Sequence, residues 1–93
     1  MTPFEISKQP SDVMNFMILK VQRLRKQQRI SQQELARRSG VSFGSIKRFE
    51  TSGEISFESL LKIAVVFNRL DDFDTVLELR YDTERIKKLF DNP

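Results

Sequence analysis

Apolar side chains recur at three- and four-residue spacing along most of this chain, and most of the blocks they form open on a residue able to cap a helix. In the first block Val13, Met17, Val21 and Leu24 make one stripe, Met14 and Ile18 make a flanking one, and Phe16 is apolar as well. Ser11 or Asp12 can cap it, and the pattern carries the helix to about Gln28. A surface helix needs one stripe. The excess implies either contact with a terminal segment or second subunit, or a long helix packed deeply into a small core.

The stretch from Arg25 to Glu50 organises the rest. Ser31 and Glu34 have the spacing of a capping box, with Ile30 and Leu35 as the hydrophobic staple, and this predicts a second helix whose inner face is Leu35 and Ala36. Gln32, Gln33, Arg37 and Arg38 are then left outside, and Gly40 sits where a left-handed residue would close the helix. Ser42 repeats the signal for a third helix from Phe43 to about Thr51, stapled by Val41 and Ile46. Ile46, Phe49 and Glu50 would face inward, and Phe43, Gly44, Lys47 and Arg48 outward. Helix, glycine turn, helix with a polar and basic outer face is a helix-turn-helix layout.

Thr51 to Glu54 reads as a loop, and Ser56 caps a fourth helix from Phe57 to about Asn68, with Phe57, Leu60, Leu61, Ala64 and Phe67 as core. Leu70 to Leu79 reads as a fifth helix with Asp71, Asp72 and Asp74 in its first turn. Those carboxylates suit the positive end of a helix dipole better than a metal. Asp82, Tyr81 and Ile86 suggest a short C-terminal helix bearing Leu89 and Phe90; a strand over Val76 to Tyr81 is the alternative. Residues 1–10 hold two prolines and no helical period, which predicts an arm, docked through Phe4 and Ile6 or unordered. The expectation is an all-α, five-helix body over residues 11–79, an arm over 1–10, and a helix or tail over 80–93.

Charge sharpens this picture. The net charge is +3, yet residues 20–48 hold nine basic side chains against Glu34 alone, while residues 49–93 hold six basic and ten acidic ones. The positive charge therefore gathers around the helix-turn-helix, where a polyanion would bind. With no cysteine and no histidine, neither thiolate metal sites nor the commonest general base are present. No catalytic set assembles, no cofactor is implied, and no apolar run approaches the roughly 20 residues needed to span a bilayer. A soluble cytoplasmic protein with no membrane partner is the expectation.

The run Leu24-Arg25, Ser31-Gln32-Gln33-Glu34-Leu35-Ala36, Gly40-Val41-Ser42, Ile46 and Glu50 resembles the lambda-repressor-like, or XRE, helix-turn-helix family. The resemblance covers roughly residues 13–79. It departs at Arg29, where the family usually has glycine, and at Ser52-Gly53, where an asparagine-glycine pair is commoner. It implies an operator read in the major groove of double-stranded DNA through Ser42, Phe43, Gly44 and Arg48. Gln32, Gln33, Arg29, Ser45 and Lys47 would contact phosphates, Gln32 also buttressing the recognition helix. Arg25 and Glu50 would form a semi-buried ion pair joining the first helix to the third.

Two function classes follow. The first is a sequence-specific transcriptional regulator, a homodimeric repressor of its own operon. Within it, Ser45 to Glu50 and Ser56 to Leu61 are similar to small HipB-type antitoxins encoded beside HipA-like kinase toxins, which would imply a toxin partner. The second is a protein-interaction adaptor that keeps the fold without DNA binding. The basic cluster favours the first.

Overall fold

The computed structural model describes residues 8–80. Of the arm expected over residues 1–10, residues 1–7 lie outside the described residues and Pro10 already opens the first helix. The C-terminal helix expected around Asp82 to Phe90 also lies outside them. Four α-helices follow in order: α1 (Pro10–Gln27), α2 (Gln32–Ser39), α3 (Phe43–Ser52) and α4 (Phe57–Val66), with a 3-10 turn at Leu70–Phe73. Among the described residues there is no strand.

Local chemistry accounts for each boundary. Pro10 occupies the first helical position of α1, where its fixed φ fits and its missing N–H costs nothing. Asp12 accepts a 2.8 Å hydrogen bond from the Gln9 amide, so the carboxylate serves from inside the helix and α1 starts slightly earlier than a Ser11 or Asp12 cap implies. Ser31, Ser42 and Ser56 cap α2, α3 and α4 by accepting from the amides of Glu34, Ser45 and Ser59 at 3.0, 3.1 and 3.0 Å. Each such cap contributes about 1 kcal/mol. α2 and α3 close on left-handed glycines, Gly40 at φ 78° and Gly53 at φ 84°. The amides of these glycines return to Ala36 O and Phe49 O.

α2 packs against both α3 and α4, and α1 against α3. Leu35, Ile46, Phe49 and Ile63 are almost wholly buried, with Ile18, Val21, Ile30, Val41 and Phe67 around them. At about 1.5–3 kcal/mol for each fully buried large side chain, these few residues dominate the stability of a small core.

Three expectations are corrected. Val13 is 46% exposed and Phe57 63% exposed. On α1 the stripe that begins at Val13 does meet the core at Met17, Val21 and Leu24, with Ile18 of the flanking stripe buried beside them, and only Val13, in the first turn, is left outside. Phe57 likewise heads its helix ahead of the buried face. That face is Leu60, Ile63, Ala64 and Phe67, and Ile63, absent from the expected core, is 1% exposed. The third correction is the fifth helix. Only the turn at Leu70–Phe73 forms, opened by Arg69 with no side-chain cap, and Leu77 takes a left-handed φ of 58°. Aspartates compete with helical hydrogen bonding. Here Asp72 is drawn back to Arg69 at 2.8 Å, and Phe73 is held edge-on to Phe57 with ring centroids 6.0 Å apart. Among the described residues, no group of three or more aspartates and glutamates is placed to hold a metal.

The three glycines make different demands, and alanine substitution should rank them. A Cβ at Gly53 would lie 2.9 Å from Met14 Cβ, in addition to the left-handed backbone, whereas Gly40 has only the backbone constraint and Gly44 has neither. Gly53→Ala should cost about 2–4 kcal/mol and Gly40→Ala about 1–2 kcal/mol. Gly44→Ala should stabilise by up to about 1 kcal/mol, since alanine favours a helix. Chemical denaturation of the three variants checks the order; equal losses would contradict it.

Candidate nucleic-acid interface

The orientation of α3 is set from beneath. Arg25, on the last turn of α1, donates Nε–H to Glu50 Oε2 and Nη2–H to Glu50 Oε1, both at 2.9 Å. Its Nη1 donates to Ile30 O at 3.1 Å, tying the α1–α2 turn into the same unit. Gln32, the first residue of α2, donates Nε2–H to Glu50 Oε1 at 3.0 Å. Three segments thus converge on one carboxylate. The Glu50 side chain is 3% exposed and that of Arg25 14%. Burial alone would push the Glu50 carboxyl up. The hydrogen bonds from Arg25, Gln32 and Gln22, with the Arg25 charge, outweigh burial and hold it below its ordinary value.

Because Glu50 is turned inward, the outer flank of α3 carries no carboxylate. Ser42, Phe43, Gly44, Ser45, Lys47 and Arg48 are all exposed. The Ser42 hydroxyl, besides capping, donates to Ser45 Oγ at 2.8 Å, so those two hydroxyls are coupled. The Lys47 ammonium lies 5.1 Å from the centroid of the Phe43 ring. Arg48 borders a small cleft between α3 and the start of α4, shared with Ser45, Glu54, Ile55, Ser56 and Ser59, without an ion pair to Glu54.

The remaining expected contacts divide. Gln33 and Arg29 are exposed, whereas Gln32 is half-buried, with its amide committed in part to Glu50. Arg29 takes a left-handed φ of 57° in the α1–α2 turn, the geometry that favours the glycine usual in similar proteins. Among the described residues, neither Arg29, Lys47 nor Arg48 pairs with a carboxylate. Arg37 and Arg38 differ. Both bond the Glu34 carboxylate, which is held down at about 2 chiefly by the Arg37 hydrogen bond and then by that from Arg38. The box expected of Glu34 is therefore half-formed: its amide bonds Ser31, while its carboxylate serves the arginines on its own helix face. That spacing was readable as i,i+3 and i,i+4 pairs. The aromatic–ammonium contact of Phe43 with Lys47 was equally readable at i,i+4, and Gln22 had no sequence signal beyond lying one turn before Arg25.

The basic cluster around the helix-turn-helix thus separates into arginines neutralised within the fold and an uncompensated set facing out. On the basic side, the flank offers donors and ammonium or guanidinium groups for phosphates and base edges; on the apolar side, a phenyl ring. Among the described residues, no helix is long and apolar enough to cross a membrane. A family model described as helix-turn-helix matches residues 21–73, more than half the chain. No curated protein and no solved structure matches it.

Removing either partner of the buried pair should be costly because the other is left buried and charged. Arg25→Ala or Glu50→Ala should destabilise by about 3–5 kcal/mol. Lys62→Ala, which breaks an exposed pair with Glu58, should shift stability by less than about 1 kcal/mol. A depressed carboxyl contributes stability that is complete above its ordinary value and is lost as pH falls through the folded one. The stability gap between wild type and Glu50→Gln should therefore be constant above about pH 4.5 and narrow below it. Urea titrations across that range check this; a gap that widens in acid would contradict it.

Proposed function

As the chain belongs to the XRE-type helix-turn-helix family, we propose that it is a sequence-specific DNA-binding transcriptional regulator that acts as a homodimer and represses its own operon. The observation that carries this reading is the outer flank of α3. It is exposed from Ser42 to Ser45 and at Lys47 and Arg48, free of carboxylates, and held out by a buried ion pair.

Arg48 is the base reader of greatest consequence. In the major groove a guanidinium can donate two hydrogen bonds to guanine O6 and N7, which is worth about 1–3 kcal/mol of discrimination. Ser42 and Gly44 sit at the N-terminal end of the same flank, where the backbone comes nearest to base edges. Gln33, Arg29, Ser45 and Lys47 meet phosphates, contacts that position the protein without reading sequence. Gln32 works mainly from the protein side: its bond to Glu50 joins the start of α2 to α3, and the α2 N-terminus adds a favourable field for a phosphate.

One flank of this size reads only a few base pairs, so specificity calls for two copies on half-sites about 34–36 Å apart. Apolar surface suited to such a contact lies on α1 at Val13, Phe16 and Leu19 and on α4 at Phe57 and Val65, all 46–63% exposed. The narrower resemblance to HipB-type antitoxins would add a toxin partner, met by the acidic segment over residues 71–78 or by the tail.

Selection of bound sequences from a random duplex pool, followed by titration in increasing salt, tests the reading. Each phosphate contact should contribute about −0.9 to the slope of log affinity against log salt. Arg48→Ala should relax preference at one base position per half-site with a loss of about 1–3 kcal/mol there. Arg29→Ala should weaken every sequence alike and make the salt slope shallower by about one contact. An Arg48→Ala loss equal for all sequences would contradict the role given to it.

A further inference from the structure

Phe43 is the first residue of α3, and it stands on the flank assigned above to base edges, 38% exposed. It has no place in the core cluster. A phenyl ring has no hydrogen-bonding group, so it can distinguish bases only by apolar contact. In the major groove the edges of the four base pairs carry donors, acceptors and one apolar group, the C5 methyl of thymine. A phenylalanine that reads this groove can therefore read little else.

Two neighbouring features fit the ring for that task. The Lys47 ammonium lies 5.1 Å from its centroid, one helical turn along, which steadies the ring over the helix surface by cation–π attraction. Gly44, beside it in sequence, has an ordinary backbone and nothing within 4 Å of where a Cβ would stand. Neither the fold nor local strain asks for glycine there, and a glycine weakens a helix. What its bareness provides is room for a base edge to come close beside the ring.

We infer that Phe43, steadied by Lys47 and flanked by the bare backbone at Gly44, forms a contact selective for a C5-methylated pyrimidine, accepting 5-methylcytosine as it does thymine. This deepens the DNA-binding reading and rests on it. Lys47 is then a positioning residue for the ring in addition to a cation near phosphate. Burying one methyl group corresponds to about a fourfold change in affinity.

The test uses the full chain and the duplex that it selects from a random pool. Each thymine is replaced in turn by deoxyuridine, which removes only the methyl. The affected position is then made cytosine or 5-methylcytosine opposite guanine. Wild type should lose about fourfold in affinity at one thymine per half-site, and the 5-methylcytosine duplex should exceed its cytosine counterpart by a similar factor. Phe43→Ala should abolish both differences while its circular dichroism stays that of wild type. Lys47→Gln should shrink the thymine-to-deoxyuridine ratio, whereas a cation serving phosphate alone would leave that ratio intact and lower both affinities together. Selective binding with no dependence on any thymine methyl, or a dependence that survives in Phe43→Ala, would overturn this inference alone. Failure of the pool to yield any preferred sequence would overturn the DNA-binding reading and this inference with it.

Discussion

The outward flank of α3 depends on one carboxylate held below the surface of this small fold. Glu50 takes two hydrogen bonds from Arg25 and one from Gln32, so that α1, α2 and α3 meet at a single side chain 3% exposed. Such a pair is weak evidence for stability, because desolvating two charges offsets most of their attraction. Its value here is geometric. A bidentate guanidinium–carboxylate pair fixes orientation, and it faces α3 with Ile46, Phe49 and Glu50 inward. The opposite flank is thereby left to polar and basic groups.

The same logic orders the rest of the charge. Glu34 ties down Arg37 and Arg38 on α2, and Asp72 ties down Arg69. Among the described residues, those left without a carboxylate partner include Arg29, Lys47 and Arg48, on or beside the helix-turn-helix. Arg29 is held at φ 57°, a conformation that glycine would adopt freely. A cation kept where glycine would be easier is consistent with an electrostatic task at that turn.

Much of this was legible in the chain because it is written in short-range chemistry. A serine three residues before its bonded amide, a glycine at a helix end, and Leu35, Ile46 and Phe49 at helical spacing are local signals, and local forces decided those elements. Arg25 and Glu50 lie 25 positions apart, and only family resemblance links them in the sequence. What failed depended on tertiary context. The stripe from Val13 and the one containing Ile18 both reach the core, through Met17, Val21 and Leu24 and through Ile18. What periodicity does not show is that Val13, in the first turn, lies beyond the elements that α1 packs on. Phe57 looks like core by composition, but its place at the head of α4 leaves it largely outside, in an edge-on contact with Phe73. The segment after Leu70 has apolar spacing suited to a helix, yet it lacks a cap and is rich in aspartate, and the chain turns instead. The pairing of Glu34 with two arginines was visible in spacing and lost to the competing capping-box pattern.

In the proposed function, the flank held out by the Arg25–Glu50 pair is the surface that meets DNA. Amide chemical-shift mapping of the full chain against a selected duplex tests it most directly. The largest shifts should fall on Ser42 to Arg48 and on the start of α2 at Gln32 and Gln33, with the outer face of α4 little changed. Shifts concentrated instead on Phe57, Val65 and the turn at Leu70–Phe73, with α3 silent, would contradict it.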